Sequence, residues 1–188
     1  MRLKKCLVSL GLLGVLSYSS FAPAASEGFE KALERYKNLD MLGAMAYFEQ
    51  AAGQGEVESQ RMLGYILWKG GAEDAGRWLL AASQEGDSLA QVYYSAFLFE
   101  YYKGDPEREK ESLEWLEKAA NNGFPRAMLS LAGRLESSQS DRSLELYRRL
   151  AEIGEQPAIT RLILAYQREE LGLVMDAAEV KKLEAKLK

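Results

Sequence analysis

Apolar side chains recur along this chain with the spacing of an α-helix, and one arrangement of them occurs four times. In each copy a bulky residue precedes two small residues by four and five positions, and a glycine follows three positions later. The copies are Tyr47-Ala51-Ala52-Gly55, Trp78-Ala82-Ser83-Gly86, Trp115-Ala119-Ala120-Gly123 and Leu146-Leu150-Ala151-Gly154, in the last of which Leu150 replaces the first small residue. A period of 31 to 37 residues predicts stacked helical hairpins, because one hairpin cannot bury its apolar face alone.

The pattern continues into the helix that follows each glycine. A small residue comes four positions after the glycine, and apolar residues follow it at intervals of four: Ser59, Leu63 and Leu67; Ala90, Tyr94 and Leu98; Ala127, Leu131 and Leu135; Ala158, Leu162 and Tyr166. This spacing predicts helices and no strand. We expect five antiparallel pairs, over residues 26–37 and 41–53, 56–69 and 73–85, 88–102 and 106–122, 124–137 and 141–153, and 156–170 and 175–187. The predicted fold is therefore all-α, a solenoid of about five helix pairs.

Other residues mark the ends of these helices. The repeat glycines are predicted to follow helices in the left-handed conformation, which glycine adopts without strain. Asn38 is predicted to take that conformation between the first two helices, with Asp40 as the N-cap of the second and Asp105 as another N-cap. Three prolines fall in predicted first turns, where a missing N–H has no intrahelical carbonyl to reach: Pro106, Pro125 and Pro157.

Residues 1–24 have the layout of a secretory signal peptide. Three basic residues precede an apolar stretch over about residues 6–16, and a small-x-small cleavage site ends at Ala24. The stretch is shorter than the roughly 20 apolar residues of a membrane span. Cys6 precedes it, whereas a lipidated cysteine follows such a stretch. We therefore expect cleavage near Ala24 and a periplasmic or secreted chain over residues 25–188.

Composition excludes several kinds of site. The chain has no histidine, and its one cysteine lies in the predicted signal peptide. Zinc sites built from His or Cys, Ser-His-Asp triads and haem held by His or Cys are therefore excluded, and we predict no cofactor and no metal. Removal of the signal peptide leaves 21 basic and 28 acidic residues. This negative balance, without a basic stripe, argues against nucleic-acid binding.

An enzyme built from this sequence would have to rely on carboxylates. Glu169 and Glu170 are adjacent, so a helix points them about 100° apart and they form a poor acid–base pair. Glu136 and Asp141 flank a turn with no aromatic platform for a sugar nearby. We predict no enzymatic activity, with a small hydrolase as the least favoured alternative.

Two runs of the sequence resemble the Sel-one-like repeats, a subfamily of the tetratricopeptide-type repeats. WLEKAANNGFPRAMLSLAGRL (115–135) and YFEQAAGQGEVESQRMLGYILWKGG (47–71) follow the motif W/Y-x-x-x-A-A-x-x-G and then A-x-x-x-L-G-x-x-Y-x-x-G. The resemblance covers about residues 41–170, although the glycine after the leucine is replaced in later copies by Ser95, Ala132 and Ile163. It implies a right-handed superhelical solenoid in an exported bacterial adaptor that holds proteins together.

By analogy with related solenoids, the first helix of each pair is expected to line the concave side. Tyr93, Phe97 and Tyr101 form an aromatic stripe there at intervals of four residues. Such a stripe with flanking arginines would suit an extended or helical peptide, because Tyr and Arg dominate binding hot spots. The candidate surface comprises Met62, Ile66, Tyr93, Phe97, Tyr101, Arg134 and Arg161. The alternative is that Tyr93 and Phe97 pack between neighbouring repeats.

The sequence thus predicts a non-catalytic scaffold for a protein or peptide partner in the bacterial envelope. A glycan-associated envelope factor is the alternative, since the arginines of residues 126–168 could grip an anionic glycan or a peptide carboxylate. The last predicted helix, 175–187, carries Val180, Leu183 and Leu187 on one face. We expect this helix to cap the final repeat rather than to lie on a membrane, because its apolar face is narrow and lacks aromatic residues.

Overall fold

The computed structural model describes residues 26–187, which form ten α-helices and no strand. They are α1 (Glu27–Lys37), α2 (Met41–Gly53), α3 (Val57–Lys69), α4 (Ala75–Gln84), α5 (Ser88–Tyr101), α6 (Pro106–Asn121), α7 (Pro125–Leu135), α8 (Ser140–Glu152), α9 (Gln156–Arg168) and α10 (Ala177–Ala185). Each helix packs against the helices before and after it in the chain. The chain is therefore an all-α superhelical solenoid of five helix pairs, and each predicted helix end lies within two residues of the observed one.

The predicted polar caps and prolines begin helices as expected. Asp40 accepts a hydrogen bond from the N–H of Gly43 at 2.9 Å, and Asp105 accepts one from the N–H of Glu107 at 3.0 Å. All three predicted prolines lie in the first turn of their helix. Three further caps were not identified from the sequence: Ser26, Asp87 and Asp176. These side chains satisfy backbone N–H groups that have no partner within the helix.

The four repeat glycines have positive φ angles of 76° to 92°, which confirms their predicted conformation. At each of them the glycine N–H and the next N–H donate to carbonyls of the preceding small-residue pair. After α2, for example, the N–H of Gly55 donates to Ala52 at 3.0 Å and the N–H of Glu56 donates to Ala51 at 3.1 Å. The spacing between the small pair and the glycine is therefore that of a Schellman motif, which satisfies the last carbonyls of the helix.

The turn between α1 and α2 differs from its prediction. Asn38 has a φ angle of −85°, and the left-handed residue is Leu39, with a φ angle of 62°. The N–H of Asn38 still donates to the carbonyl of Glu34 at 3.1 Å, so the helical pattern continues through this residue. Leu39 therefore occupies the position that glycine has in the repeats, at a steric cost of about 1–2 kcal/mol.

The interior consists of three adjoining apolar clusters along the stack. The recurring leucine or tyrosine of each repeat is at most 5% exposed, as predicted: Leu63, Tyr94, Leu131 and Leu162. Ala119 has no exposed surface, which confirms that this small residue lies inside. Trp78 on α4 packs against the cluster of α1–α3, and Trp115 on α6 packs against the cluster that contains α4 and α5. The bulky residues of the motif therefore join neighbouring repeats.

Helices approach closely at the position that follows the recurring leucine or tyrosine. A Cβ atom at Gly64 would lie 2.7 Å from Cγ and 3.0 Å from the backbone nitrogen of Leu79 on α4. In the next repeat Ser95 occupies this position, and its hydroxyl lies 2.9 Å from that of Ser112 on α6. At the third copy, the backbone carbonyl of Ala132 accepts a hydrogen bond from the hydroxyl of Ser143 on α8 at 2.8 Å. The residue at this position is small in all three of these repeats.

The odd-numbered helices share one side of the stack. Beyond its chain neighbours, α5 also contacts α3 and α7 directly. Cations lie in the last turns of several of these helices: Arg35 and Lys37 in α1, Lys69 in α3, Arg134 in α7 and Arg168 in α9. Positive charge is favourable there, because a helix carries partial negative charge at its carboxyl end.

The last helix, α10, packs on α9, and its Val180 and Leu183 are buried in the apolar cluster that also contains residues of α7, α8 and α9. The Lys186 ammonium donates to the carbonyl of Ala151 at 3.1 Å, at the end of α8. The predicted signal peptide, residues 1–24, lies outside the described residues. No helix within residues 26–187 is long and apolar enough to cross a membrane.

Candidate partner-binding surface

The structure places the predicted surface residues in different environments. Ile66 and Phe97 are interior, with 8% and 2% of their surfaces exposed, whereas Tyr101 is 44% exposed. Phe97 is buried because its ring fills the space next to Gly76 on α4, where a Cβ atom would lie 2.7 Å from the ring. The predicted aromatic stripe is therefore interrupted at its centre, and the packing alternative holds for Phe97.

Tyr93 packs toward α3. Its ring centroid lies 4.9 Å from that of Tyr65 and 6.3 Å from that of Trp68. All three side chains are half-buried, so each keeps part of its ring accessible. We call Tyr65, Trp68 and Tyr93 the aromatic patch.

Cations border the aromatic patch on two sides. The Lys69 ammonium lies 3.6 Å from the Trp68 ring centroid, and the Arg126 guanidinium lies 5.7 Å from that of Tyr93. The patch thus extends from the last turn of α3 across α5 to the first turn of α7. The negatively polarised face of an aromatic ring attracts a cation, and this contact restricts the motion of both side chains.

Sequence reasoning missed Tyr65 and Trp68. Tyr65 lies one position before Ile66 and Trp68 lies two positions after it, but only Met62 and Ile66 were selected on α3. The spacing of a helix shows which residues share a face, but the ring positions here depend on Tyr93 of the next repeat. Two aromatic residues three positions apart share one face of a helix, and this spacing was the signal in the sequence that could have identified them.

An apolar depression adjoins the aromatic patch, between α1, α2 and the carboxyl end of α3. Its volume is about 580 Å³. Tyr36, Met41 and Met45 line one side, and residues 65–67, 69 and 70 line the other. Ile66 contributes to this lining, so its small exposed fraction faces the depression. Met62 is half-buried and packs against the same cluster of α1–α3.

Exposed apolar side chains are concentrated around Met41, which lines this depression. Leu39 is 84% exposed, Leu42 is 83% exposed and Met41 is 40% exposed, and all three lie in the turn from α1 into α2. Clustered exposed apolar residues next to a depression are typical of a surface that binds another molecule. The strained conformation of Leu39 keeps one of these side chains out of the interior.

The two predicted arginines have different partners. Arg161 on α9 donates to both carboxylate oxygens of Glu136 at 2.8 Å and pairs with Glu170, also at 2.8 Å. Arg134 on α7 instead lies over the ring of Phe99, 4.1 Å from its centroid. The candidate residues therefore do not form one surface, and their role in partner binding stays a prediction.

Two of the four carboxylates considered for catalysis, Glu136 and Glu170, are held in ion pairs with Arg161. The hydrogen bonds of Glu136 from Arg161 hold the pKa of this carboxyl below its usual range, and the Tyr147 hydroxyl donates to it at 2.6 Å. Burial and this carboxylate raise the pKa of Tyr147. No group of three or more Asp, Glu, His or Cys side chains within residues 26–187 is arranged to hold a metal ion. The chemistry that the surface offers is noncovalent: apolar contact, aromatic stacking and fixed positive charge.

Comparisons with known proteins agree with this architecture. No family model matches the chain. An F-box protein of Arabidopsis thaliana is 31% identical over 96 residues, which is 50% of this chain and 26% of that protein. The match thus spans about a quarter of the length of that relative.

Solved structures are similar over most of the chain. A Sel1 repeat protein from Oxalobacter formigenes matches with a TM-score of 0.70 and 23% identity, over 86% of this chain and 69% of its own. A protective antigen of uropathogenic Escherichia coli with the Sel1-like repeat fold matches with a TM-score of 0.69 and 22% identity, over 85% and 37%. The MamA protein matches with a TM-score of 0.59 and 20% identity, over 85% and 87%. The chain therefore has the fold of the Sel1-like repeat solenoids, as its repeated motif predicts.

Proposed function

We propose that this chain is a non-catalytic scaffold that binds a partner polypeptide in the bacterial envelope, on the side formed by the odd-numbered helices. The single observation that carries the proposal is the apolar depression lined by Met41, whose chain neighbours Leu39 and Leu42 are the most exposed large apolar side chains of the described residues. Leaving three apolar side chains in water is unfavourable, so a partner that covers them gains free energy from their burial.

The aromatic patch supports the same interpretation. Half-buried Tyr and Trp side chains that are held by their neighbours lose little conformational freedom on binding, and they are common at binding hot spots. Here Tyr65 lines the depression, and Tyr93 extends the accessible ring surface onto the next repeat. An extended or helical segment with apolar side chains fits a surface of this kind.

The non-catalytic part of the proposal is supported by the state of the acidic groups. Glu136 and Glu170 are both paired with Arg161, and Glu111 accepts hydrogen bonds from Arg108 and Tyr94. The hydrogen bonds from Arg161 hold the pKa of the Glu136 carboxyl below its usual range. This carboxyl is poorly suited to proton transfer at neutral pH, because a general acid or base works best with a pKa near the working pH.

The location in the envelope is supported by the charge and hydrophobicity pattern of residues 1–24 and by the small residues before Ala25. The absence of cysteine from residues 25–188 means that folding in an oxidising compartment requires no disulfide. One experiment tests both parts of the proposal. The full chain with a carboxyl-terminal tag is expressed in a bacterium, the envelope and cytoplasm are separated, and the tagged chain is crosslinked and captured.

We expect the captured chain to come from the envelope and to begin at Ala25 by mass spectrometry, with a partner polypeptide crosslinked to it. Leu42→Asp should reduce capture of that partner at least about tenfold, because a charge replaces an apolar contact. The folded chain should tolerate this change, since Leu42 is 83% exposed and an acid in the first turn of α2 is favourable.

Ile153→Asp is the matched control, because Ile153 is also exposed, at 64%, and lies after α8, far along the chain from the depression. It should leave capture unchanged. Equal loss of the partner in both variants, or undiminished capture with Leu42→Asp, would show that this surface is not used. An intact amino terminus in the cytoplasm would contradict the envelope location.

A further inference from the structure

A second depression lies where the last turn of α5, the first half of α6 and the last turn of α7 meet. It is open to solvent and has a volume of about 640 Å³. Apolar side chains and two cations line it: Phe99, Pro106, Leu113, Lys110 and Arg134. We call this depression the Arg134 groove. Glu109 also borders it, with its carboxylate 3.4 Å from the N–H of Gly104, from which it accepts a hydrogen bond.

Arg134 is held in a defined position. Its Nη1 donates to the hydroxyl of Ser112 at 2.5 Å, and that hydroxyl donates to the carbonyl of Ser95 at 2.7 Å. Both serines are buried, at 0% and 1% exposure. The guanidinium also lies over the ring of Phe99. A guanidinium has five N–H donors, and one bond to Ser112 leaves a planar edge for a further acceptor.

Arg134 differs from the other partly buried arginines of the solenoid. Arg61 pairs with Asp87 at 3.0 Å, and Arg161 pairs with Glu136 and Glu170. Within the described part of the chain, no carboxylate lies within 4.0 Å of the Arg134 guanidinium. Burial lowers the pKa of Arg134, and the more distant charge of Glu109 only partly opposes this effect. A half-buried cation without a partner is unfavourable, so an anion supplied by another molecule would stabilise it.

We propose that the Arg134 groove binds the carboxylate of an aspartate or glutamate side chain in the partner polypeptide. A carboxylate can accept two parallel hydrogen bonds from the planar guanidinium, which is the strongest geometry for this pair. Lys110 adds positive charge at the edge of the groove, where its pairing with Glu114, at 4.0 Å, is weak. The apolar walls formed by Phe99, Pro106 and Leu113 accommodate a neighbouring apolar side chain of the same segment.

This inference rests on the proposed function, because it specifies one contact of the same partner. The groove is open rather than closed around its contents, so a chain can continue past the bound side chain. An internal acidic residue therefore fits it better than a free carboxyl terminus.

The probes are two blocked peptides, acetyl-Leu-Glu-Leu-amide and acetyl-Leu-Gln-Leu-amide, titrated into the ¹⁵N-labelled mature chain and followed by NMR. We expect the glutamate peptide to shift the Arg134 Nε–H resonance in a saturable way, with a Kd at least about tenfold below that of the glutamine peptide. Arg134→Gln should abolish the preference. Arg149→Gln removes an equal charge from an exposed arginine of α8 and should leave the preference unchanged.

Equal affinity of the two peptides for the wild-type chain would overturn the inference, and this comparison stands even if Arg134→Gln fails to fold. Retention of the preference in a folded Arg134→Gln chain would overturn it as well. Tighter binding of trigalacturonate than of the glutamate peptide would assign the groove to an anionic glycan instead. If neither peptide binds while Leu42→Asp still reduces partner capture, the inference that the Arg134 groove binds a carboxylate is wrong. The proposed function as a scaffold is then unaffected.

Discussion

Two glutamines, Gln60 and Gln91, occupy the same place in consecutive repeats, one residue after the recurring small residue. Each is buried, and its side-chain amide donates to a carbonyl of the preceding helix: Gln60 to Ala52 at 3.3 Å and Gln91 to Ser83 at 3.1 Å. The side-chain oxygens of both have no hydrogen-bond partner. The corresponding residues in the later repeats are Met128 and Ile159. An apolar side chain therefore fits this position in the fold.

Gln91→Met should stabilise the chain by about 0.5–1.5 kcal/mol. The change removes an unpaired buried oxygen, and the carbonyl of Ser83 keeps its bond from the N–H of Gly86 at 3.2 Å. Thermal or urea unfolding followed by circular dichroism measures the difference. Gln167→Met, at an exposed position of α9, is the control and should change stability by less than about 0.5 kcal/mol. A loss of stability in Gln91→Met would mean that the hydrogen bond from the Gln91 side chain to Ser83 stabilises the fold by more than the unpaired oxygen destabilises it.

At the scale of the helices, the repeats differ in how a pair crosses. Gly64 on α3 leaves room for Leu79, Ser95 on α5 contacts Ser112 through hydroxyls, and the backbone of Ala132 on α7 accepts from Ser143. The same position in the motif thus holds an apolar contact in one pair and polar contacts in two others. The residue on the first helix is small in all three pairs, and at Gly64 the approach of Leu79 requires it.

Gly64→Ala should destabilise the chain by about 1–3 kcal/mol, although alanine favours helices. The new methyl group would meet the side chain and the backbone nitrogen of Leu79, and a backbone atom cannot move away cheaply. The matched control is Gly53→Ala in the last turn of α2, where nothing lies within 4 Å of the added atom. Urea unfolding of the two variants should show opposite signs. Equal stabilisation of both would mean that the crossing of α3 and α4 is looser than described.

At the scale of the whole molecule, contacts run mainly between consecutive helices. Stability in such a stack is approximately a sum of local terms, so a change at one end weakens that end most. The carboxyl-terminal end depends on α10, because Val180 and Leu183 cover the apolar side of α9. The bond from Lys186 to Ala151 also ties α10 to the end of α8.

Leu183→Ala should therefore cost about 2–4 kcal/mol locally, because it leaves a cavity against α9. Hydrogen exchange measured by mass spectrometry should show faster exchange in α9 and α10, with α3 unchanged. Lys181→Ala is the control, since Lys181 is exposed on the same helix, and it should leave exchange in α9 as it is. Uniformly faster exchange along the chain after Leu183→Ala would contradict the local behaviour of a solenoid.

The sequence by itself determined the helices, their pairing and the repeated crossings. The small-residue pair and its glycine act within one helix end, through hydrogen bonds a few residues apart, so their spacing is visible without any tertiary contact. The same local logic predicted the caps at Asp40 and Asp105 and the first-turn prolines. It failed at Asn38 because one further helical hydrogen bond, from the N–H of Asn38 to the carbonyl of Glu34, moved the left-handed position by one residue to Leu39.

Only the tertiary structure decided which side chains stay accessible. Phe97 and Tyr93 lie on one helix at an interval of four, yet one fills the space beside Gly76 and the other stacks on Tyr65 of the previous repeat. Arg134 and Arg161 are alike in the sequence, but Arg161 meets carboxylates from distant turns and Arg134 meets an aromatic ring. Helical spacing assigns a residue to a face, whereas exposure and pairing depend on residues that the superhelix brings together from other repeats.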